Sequence, residues 1–127
     1  GQIYNLGLEN AENSKIYIPR TLTLNYEISQ EIKKIIEGRL RAYVSKDKTG
    51  IRREVLRHFI RTRTLTIAEL VLELQKHFTV TFHAVASMVG IIASRIGILR
   101  SSRNADGTNA YEIKEKYVDV VVRIVGA

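Results

Sequence analysis

Arg53, Arg57 and Arg61 recur at every fourth position of one short stretch. On a helix that spacing stacks the three side chains into a single stripe. Guanidinium groups on a rigid element suit phosphate oxygens, and each displaced counterion makes such binding salt-sensitive. Lys46 and Lys48 come just before the stripe, and Lys33, Lys34, Arg39 and Arg41 lie on the preceding segment. Thr49-Gly50, where the helix would start, leaves backbone N–H groups able to receive an anion. Glu54 is the only acid between residues 51 and 63. A stripe of this kind also fits a solvated helix face, so charge along the whole chain has to decide between the two.

The chain has 127 residues, with 20 Lys and Arg against 13 Asp and Glu, a formal net charge of +7. Residues 29–63 hold eleven of the basic and four of the acidic residues, which places the whole excess in that stretch, while residues 64–97 balance at two and two. Four acids are too few to pair eleven bases, and unneutralised charge attracts polyanions, nucleic acid first. Other chemistries find little support. With no cysteine there is no disulfide, thiol nucleophile or Cys-ligated zinc, and the composition fits a reducing cytoplasm. His58, His77 and His83 fall on three different predicted helices, without a carboxylate at metal-ligand spacing and without a His-Glu-x-x-His pattern. Gly-rich phosphate loops, a Gly-x-Ser-x-Gly elbow and paired catalytic carboxylates do not occur. The expectation is a protein that is not an enzyme, with no cofactor, no metal and no small-molecule ligand. No apolar run nears the ~18 residues of a membrane span, and no signal-peptide pattern is seen. The chain opens on Gly1 rather than Met, which fits a cloning remnant at its start.

Residues 1–28 read as an N-terminal arm or loose hairpin: a polar, turn-like Leu8–Lys15, then β-prone Ile16–Ile18 and Thr21–Tyr26, separated by Pro19. In the second run Leu22, Leu24 and Tyr26 alternate with polar residues, the period of a half-buried strand. Residues 29–127 form the main domain. Ser29 is placed to cap a helix to about Val44, with Ile28, Ile32, Ile35, Ile36, Leu40, Tyr43 and Val44 on one face. A turn at 45–50 leads to a helix over 51–62 with Val55, Leu56, Phe59 and Ile60 inward. After a short extended Thr64-Leu65, Thr66 and Glu69 form a capping-box pattern that opens a helix to about Phe78. Thr81 caps a further helix ending at Gly97, whose buried stripe is Phe82, Val85, Ala86, Val89, Ile92, Ala93 and Ile96. Strands at 98–101 and 110–113 flank a polar loop with an Asp106-Gly107 turn, and 114–125 is read as a helix.

This order predicts a mainly α protein with a small β-hairpin: a winged helix-turn-helix with an extra N-terminal helix and a C-terminal helix. From about Glu31 to Val125 the chain resembles an archaeal domain family of uncharacterised proteins with a predicted winged-helix fold. Lys48–Leu56, Ala84–Gly90 and Gly97–Arg100 carry the resemblance. It implies the fold and an archaeal, intracellular setting, and no particular activity.

The residues therefore have to supply the function. In such a fold the 81–97 helix is the one offered to a DNA major groove. Its outward face carries Thr81 at the cap, then His83, Ser87, Ser94 and Arg95, a set poor in the Arg, Asn and Gln that usually read bases. Arg100 and Arg103 flank the wing. With Lys48, Arg53, Arg57 and Arg61 these make the candidate nucleic-acid surface: a protein bound mainly to phosphates of double-stranded DNA and associated with transcription. Met88 and Ile91 are apolar residues near that same face, and they favour the alternative of a winged-helix module that docks on another protein without significant DNA binding. The final helix is apolar almost all round, with Val118, Val121, Val122 and Val125 at helical spacing, which predicts a homodimer built on it.

Overall fold

Pro19 starts the first helix. In the computed structural model, which describes residues 17–126 and the two-residue strands β1 (Asn10–Ala11) and β2 (Asn13–Ser14), helix α1 runs Arg20–Ser45. The Pro19 carbonyl accepts the Thr23 N–H at 3.2 Å and the Thr23 hydroxyl at 3.4 Å, so proline sits where its fixed φ and missing N–H cost nothing. The expected Thr21–Tyr26 strand is thus helix, and Ser29 is helix interior rather than a cap. Leu22 and Tyr26 alternate with Leu24, but they are also i and i+4 on a helix, and the long helical context decides. β1 and β2 pair antiparallel within the polar Leu8–Lys15 stretch. The rest of the expected hairpin before residue 17 lies outside the described residues.

The chain divides into two units, Gly1–Lys34 and Ile35–Ala127, with α1 contributing to both. In the first unit Leu22, Leu24, Tyr26, Ile28 and Ile32 are exposed, so Ile28 and Ile32 are not the inward residues expected, and neither is Ile35 beyond them.

The second unit is built around Leu40, Leu56, Phe59, Leu70, Leu74, Val85, Val89, Ile92, Ile98, Val120 and Val121, all almost fully buried. Helix α2 spans Ile51–Thr62. It begins after Gly50, whose φ of 87° needs a residue without Cβ, and Asp47 caps it by accepting the N–H groups of Arg52 and Arg53. Strand β3 (Thr64–Thr66) leads into α3 (Ile67–Leu74), where Thr66 and Glu69 form the expected capping box. Helix α3 stops four residues earlier than expected, and residues 75–81 make the turn, braced by Gln75 on the Val80 carbonyl. Helix α4 (Phe82–Ile91) is capped by Thr81 and continues as a π-helical turn over Ile92–Ile96, closed by left-handed Gly97. Strands β4 (Leu99–Arg103) and β5 (Asn109–Ile113) form the wing. They are joined by β3 in one antiparallel sheet of order β3-β5-β4, with Leu65 and Ser101 both opposite Tyr111. A 3-10 turn, Glu115–Tyr117, enters α5 (Val118–Val125).

Helix α5 is covered by its own domain. Val121 and Val125 are buried in the common core, Val118 and Val122 are half-buried, and the exposed positions are Asp119 and Arg123. Helix α2 packs on it, so Val121 and Val125 of the face expected to build a dimer are covered within one chain, while Val118 and Val122 stay partly accessible.

Candidate nucleic-acid interface

Helix α4 presents residues that the core does not claim. His83, Ser87, Ser94 and Arg95 are all exposed, and 83, 87, 91, 94 and 95 follow helical spacing along one face. The face is aimed by its opposite, since Val85, Val89, Ile92 and Ile96 are buried. Two polar groups on it are already committed. The Thr81 hydroxyl accepts the Ala84 N–H at 3.1 Å as the helix cap, and Ser94 donates to the Gly90 carbonyl at 2.7 Å. His83, Ser87 and Arg95 are left to meet a partner with their side chains.

Phe82 departs from expectation. It heads α4 but is 57% exposed instead of core. It lines a cavity of about 640 Å³ with Thr66 to Glu69 at the start of α3, Tyr111, and Asn104, Asp106, Thr108 and Asn109 of the wing. The wing loop is tied by its own hydrogen bonds. Gly107 has φ 91°, and Asp106 accepts from the Thr108 N–H and hydroxyl. Those bonds hold the Asp106 carboxyl below the usual range, the hydroxyl contributing most. Arg103 bonds the Gly107 carbonyl at 2.9 Å, and Arg100 pairs with Glu112 across the strands at 3.8 Å. Both remain exposed.

The arginine stripe of α2 is exposed far less freely than its spacing implied. Arg57 donates from Nε and Nη2 to the Val125 carbonyl, at 3.0 and 2.6 Å, and so closes the C-terminal end of α5. Arg53 pairs with Asp47 at 3.5 Å, and Arg61 and Arg57 both reach Glu54 at 3.4 Å. His58 Nε2 lies 3.5 Å from the same carboxylate. One glutamate thus serves three neighbours, and Arg57 has a fold to hold. Lys48 is exposed at the turn. Arg63, with φ 73°, pairs with Glu115 and bonds the Ile60 carbonyl.

A cluster of cations without carboxylate partners among the described residues sits elsewhere. Lys46, Arg52 and Arg95, with Ala42, Tyr43 and Ile91, line a groove of about 250 Å³ where the second half of α1 meets the end of α4. Arg39 stands beside it and donates to the Arg95 carbonyl at 3.3 Å. Arg52 is fixed by the Tyr43 carbonyl at 2.9 Å and lies over the Tyr43 ring, 4.3 Å from its centroid. Burial pushes the Tyr43 phenol up, and its hydroxyl has no hydrogen-bond partner among the described residues. Ile91, read as an apolar residue on the outward face, is half-buried as a wall of this groove, and Met88 packs against the core. Sequence spacing could not have found the groove, because Arg95 joins it from a segment 43 or more positions away from Lys46 and Arg52.

No group of three or more His, Asp or Glu side chains among the described residues could hold a metal. No described helix is long and apolar enough to cross a membrane.

Three helices, a turn and a three-stranded wing between two flanking helices define a winged helix-turn-helix protein. Among solved structures the chain is similar to the oxidized form of MarR from E. coli, with TM-score 0.50 and 18% identity, covering 87% of this chain and 76% of that one. A second MarR structure, the Multiple Antibiotic Resistance Repressor, gives TM-score 0.49 at 17% identity. At such identity the likeness is one of fold. The chain belongs to DUF2551, a family of proteins of unknown function whose pattern it matches over residues 40–121. It is also 36% identical over 91 residues to an uncharacterized protein of the archaeon Archaeoglobus fulgidus, an alignment covering 71% of this chain and 92% of that protein.

Proposed function

We propose that this protein is a non-enzymatic, cytoplasmic DNA-binding regulator that lays α4 in the major groove of duplex DNA. The observation that carries the reading is the exposed strip of His83, Ser87 and Arg95 on a helix whose other side is locked into the core. Arg103 at the wing extends the contact, and the fold shared with MarR supports the regulatory role. Few of these side chains make paired bonds to base edges, so phosphate contacts supply most of the affinity and sequence preference is modest. The test is fluorescence anisotropy of labelled duplexes over a salt series. Removing one phosphate contact should flatten the slope of log K against log salt by about 0.9. Arg95→Ala with Arg103→Ala should flatten it by about 2, while Ser87→Ala acts only on a preferred sequence. No binding by the parent protein at 50 mM salt and tens of micromolar duplex refutes the reading.

We also place self-association on the first half of α1 rather than on α5. Leu24, Ile28 and Ile32 are exposed one turn apart, an apolar strip along one face of the helix that suits a second helix. Glu27, Glu31 and Lys34 border it with both signs of charge, which suits an antiparallel second copy. Sedimentation should give a dimer that Ile28→Glu dissociates, and a monomeric parent at tens of micromolar removes the proposal. This strip replaces Met88 and Ile91 as the surface a protein-docking role would use.

A further inference from the structure

We propose that the groove between the second half of α1 and the end of α4 is a phosphate-binding site. Lys46, Arg52 and Arg95 line it, Arg39 stands at its edge, and no carboxylate is among its lining residues. Much of the remaining basic surface is already neutralised. Arg41, Arg53, Arg57, Arg61, Arg63, Lys76, Arg100 and Arg123 each have a carboxylate partner. None of the four groove cations has one among the described residues. Like charges held close repel one another, so a cluster left without counter-charges is one that an anion would stabilise.

The geometry selects phosphate over a loose counterion. Arg52 is held by two contacts, the Tyr43 carbonyl and the Tyr43 ring, which spend one N–H edge and leave the rest of the guanidinium fork aimed from a fixed position. A fixed fork pairs with two phosphate oxygens at once. Ala42, Ile91 and the Tyr43 ring give the groove apolar walls between its cations. At about 250 Å³ the space is below the ~300 Å³ at which pockets begin to enclose drug-sized molecules. It suits a phosphate or diphosphate group. Arg95 is presented by the π-helical turn Ile92–Ile96, a widened helical form frequent at functional sites. Its carbonyl is taken by Arg39, so the turn is tied to α1 while the Arg95 side chain stays exposed.

The phosphate could come from the backbone of duplex DNA or from a free phosphorylated molecule, and only the first source rests on the DNA-binding reading. The test uses inorganic pyrophosphate with the ¹⁵N-labelled full chain at constant ionic strength, chloride being the control. Saturable shifts should concentrate at residues 42–52 and 91–97. Lys46→Gln, an exposed position with no role in packing, should weaken pyrophosphate roughly tenfold, the low end of what losing a charged hydrogen bond gives. Arg52→Lys should also weaken it despite the retained charge, because the fork and the ring contact go. If pyrophosphate displaces labelled duplex and Lys46→Gln weakens duplex binding, the groove holds the DNA backbone. If pyrophosphate binds without displacing duplex, the ligand is a free phosphorylated molecule. A loss of duplex affinity on Lys46→Gln without pyrophosphate shifts assigns the groove to the phosphodiester alone. If the parent binds no duplex, the DNA reading falls and the pyrophosphate arm still decides the groove. Shifts that are absent, or scattered and unsaturated, together with unchanged duplex affinity of Lys46→Gln overturn the proposal.

Discussion

Arg57→Ala should destabilise the domain strongly, although its neighbours in the same stripe tolerate the change. The last carbonyls of a helix have no partner within it, and at α5 one of them, on Val125, receives both Nε and Nη2 of Arg57 at 3.0 and 2.6 Å. A hydrogen bond from a charged donor contributes about 1.5–3 kcal/mol. The two bonds share one acceptor, so a single such contribution is the sound choice. A cation at a helix C-terminus adds about 0.3–1 kcal/mol. The Glu54 contact at 3.4 Å is partly exposed and adds little. The loss should be about 2–3 kcal/mol, or roughly 10–20 °C in Tm for a domain of this size. Urea titration followed by circular dichroism measures it, with Arg61→Ala as the control. Arg61 is more exposed and reaches only Glu54, at 3.4 Å, so its loss should stay within ~0.5 kcal/mol. If the two variants unfold at the same midpoint, Arg57 is not the brace of α5, and the stripe returns to being a free cationic surface.

The two phenylalanines give a second contrast. Phe59→Ala should cost about 3–5 kcal/mol, because the side chain is 1% exposed in the core, while Phe82→Ala should cost under ~1 kcal/mol, and near-equal losses in thermal melts would show that Phe82 is packed. A third prediction concerns acid. Glu37 bonds Arg41 at 2.9 Å and Arg123 at 2.9 Å, and these, Arg41 first, hold its carboxyl below the ordinary 4.5. A lowered folded value means that the ionised group stabilises fully above about 4.5 and the contribution disappears as the pH falls through the lower folded value. Glu37→Gln should therefore flatten the acid limb of Tm against pH below about 4.5, and an unchanged limb would show that the bridge from α1 to α5 is not formed in solution.

Features carried by adjacent residues are legible in the sequence itself. The capping box needs only Thr66 and Glu69, the wing turn only Asp106-Gly107, and the start of α2 only Gly50 and the apolar spacing after it. Each is a local rule whose partners are within a few positions. Pro19 is legible as punctuation but not in sense. Between β-prone runs it reads as a break, yet with its carbonyl taken by Thr23 it is the first turn of α1. The candidate site is half legible. The outward set on α4 follows from periodicity, because Val85, Val89, Ile92 and Ile96 can only face one way. Which cations remain free does not follow, since it depends on what lies across from each. Arg57 finds a carbonyl 68 positions away, and Arg123 finds Glu37 86 positions away. Net charge over 29–63 marks a basic region without showing which of its members are paired. The α2 stripe is largely paired, whereas Lys46 at the turn before it, Arg52 beside it and Arg39 in α1 have no carboxylate partner among the described residues.

Ile91 shows how one misplaced residue changes a functional argument. Viewed on α4 alone, an isoleucine between Ser87 and Arg95 is an apolar spot on a polar face, and a protein partner is the natural explanation. With the second half of α1 in place, Ala42 and Tyr43 take one side of it and the spot becomes a groove wall. That packing has two consequences. The proposed surface for a second protein moves to the exposed strip at Leu24, Ile28 and Ile32. The far end of α4 also acquires a second neighbour, so that Arg95 borders both the exposed strip with His83 and Ser87 and the groove with Lys46 and Arg52. A phosphate drawn toward Arg52 competes for Arg95 with any phosphate on the α4 face, unless the two are successive groups of one strand. Occupancy of the groove and the affinity of α4 for DNA are then linked through one side chain, and linkage of that kind is reciprocal: whatever pyrophosphate does to duplex affinity, duplex must do equally to pyrophosphate affinity.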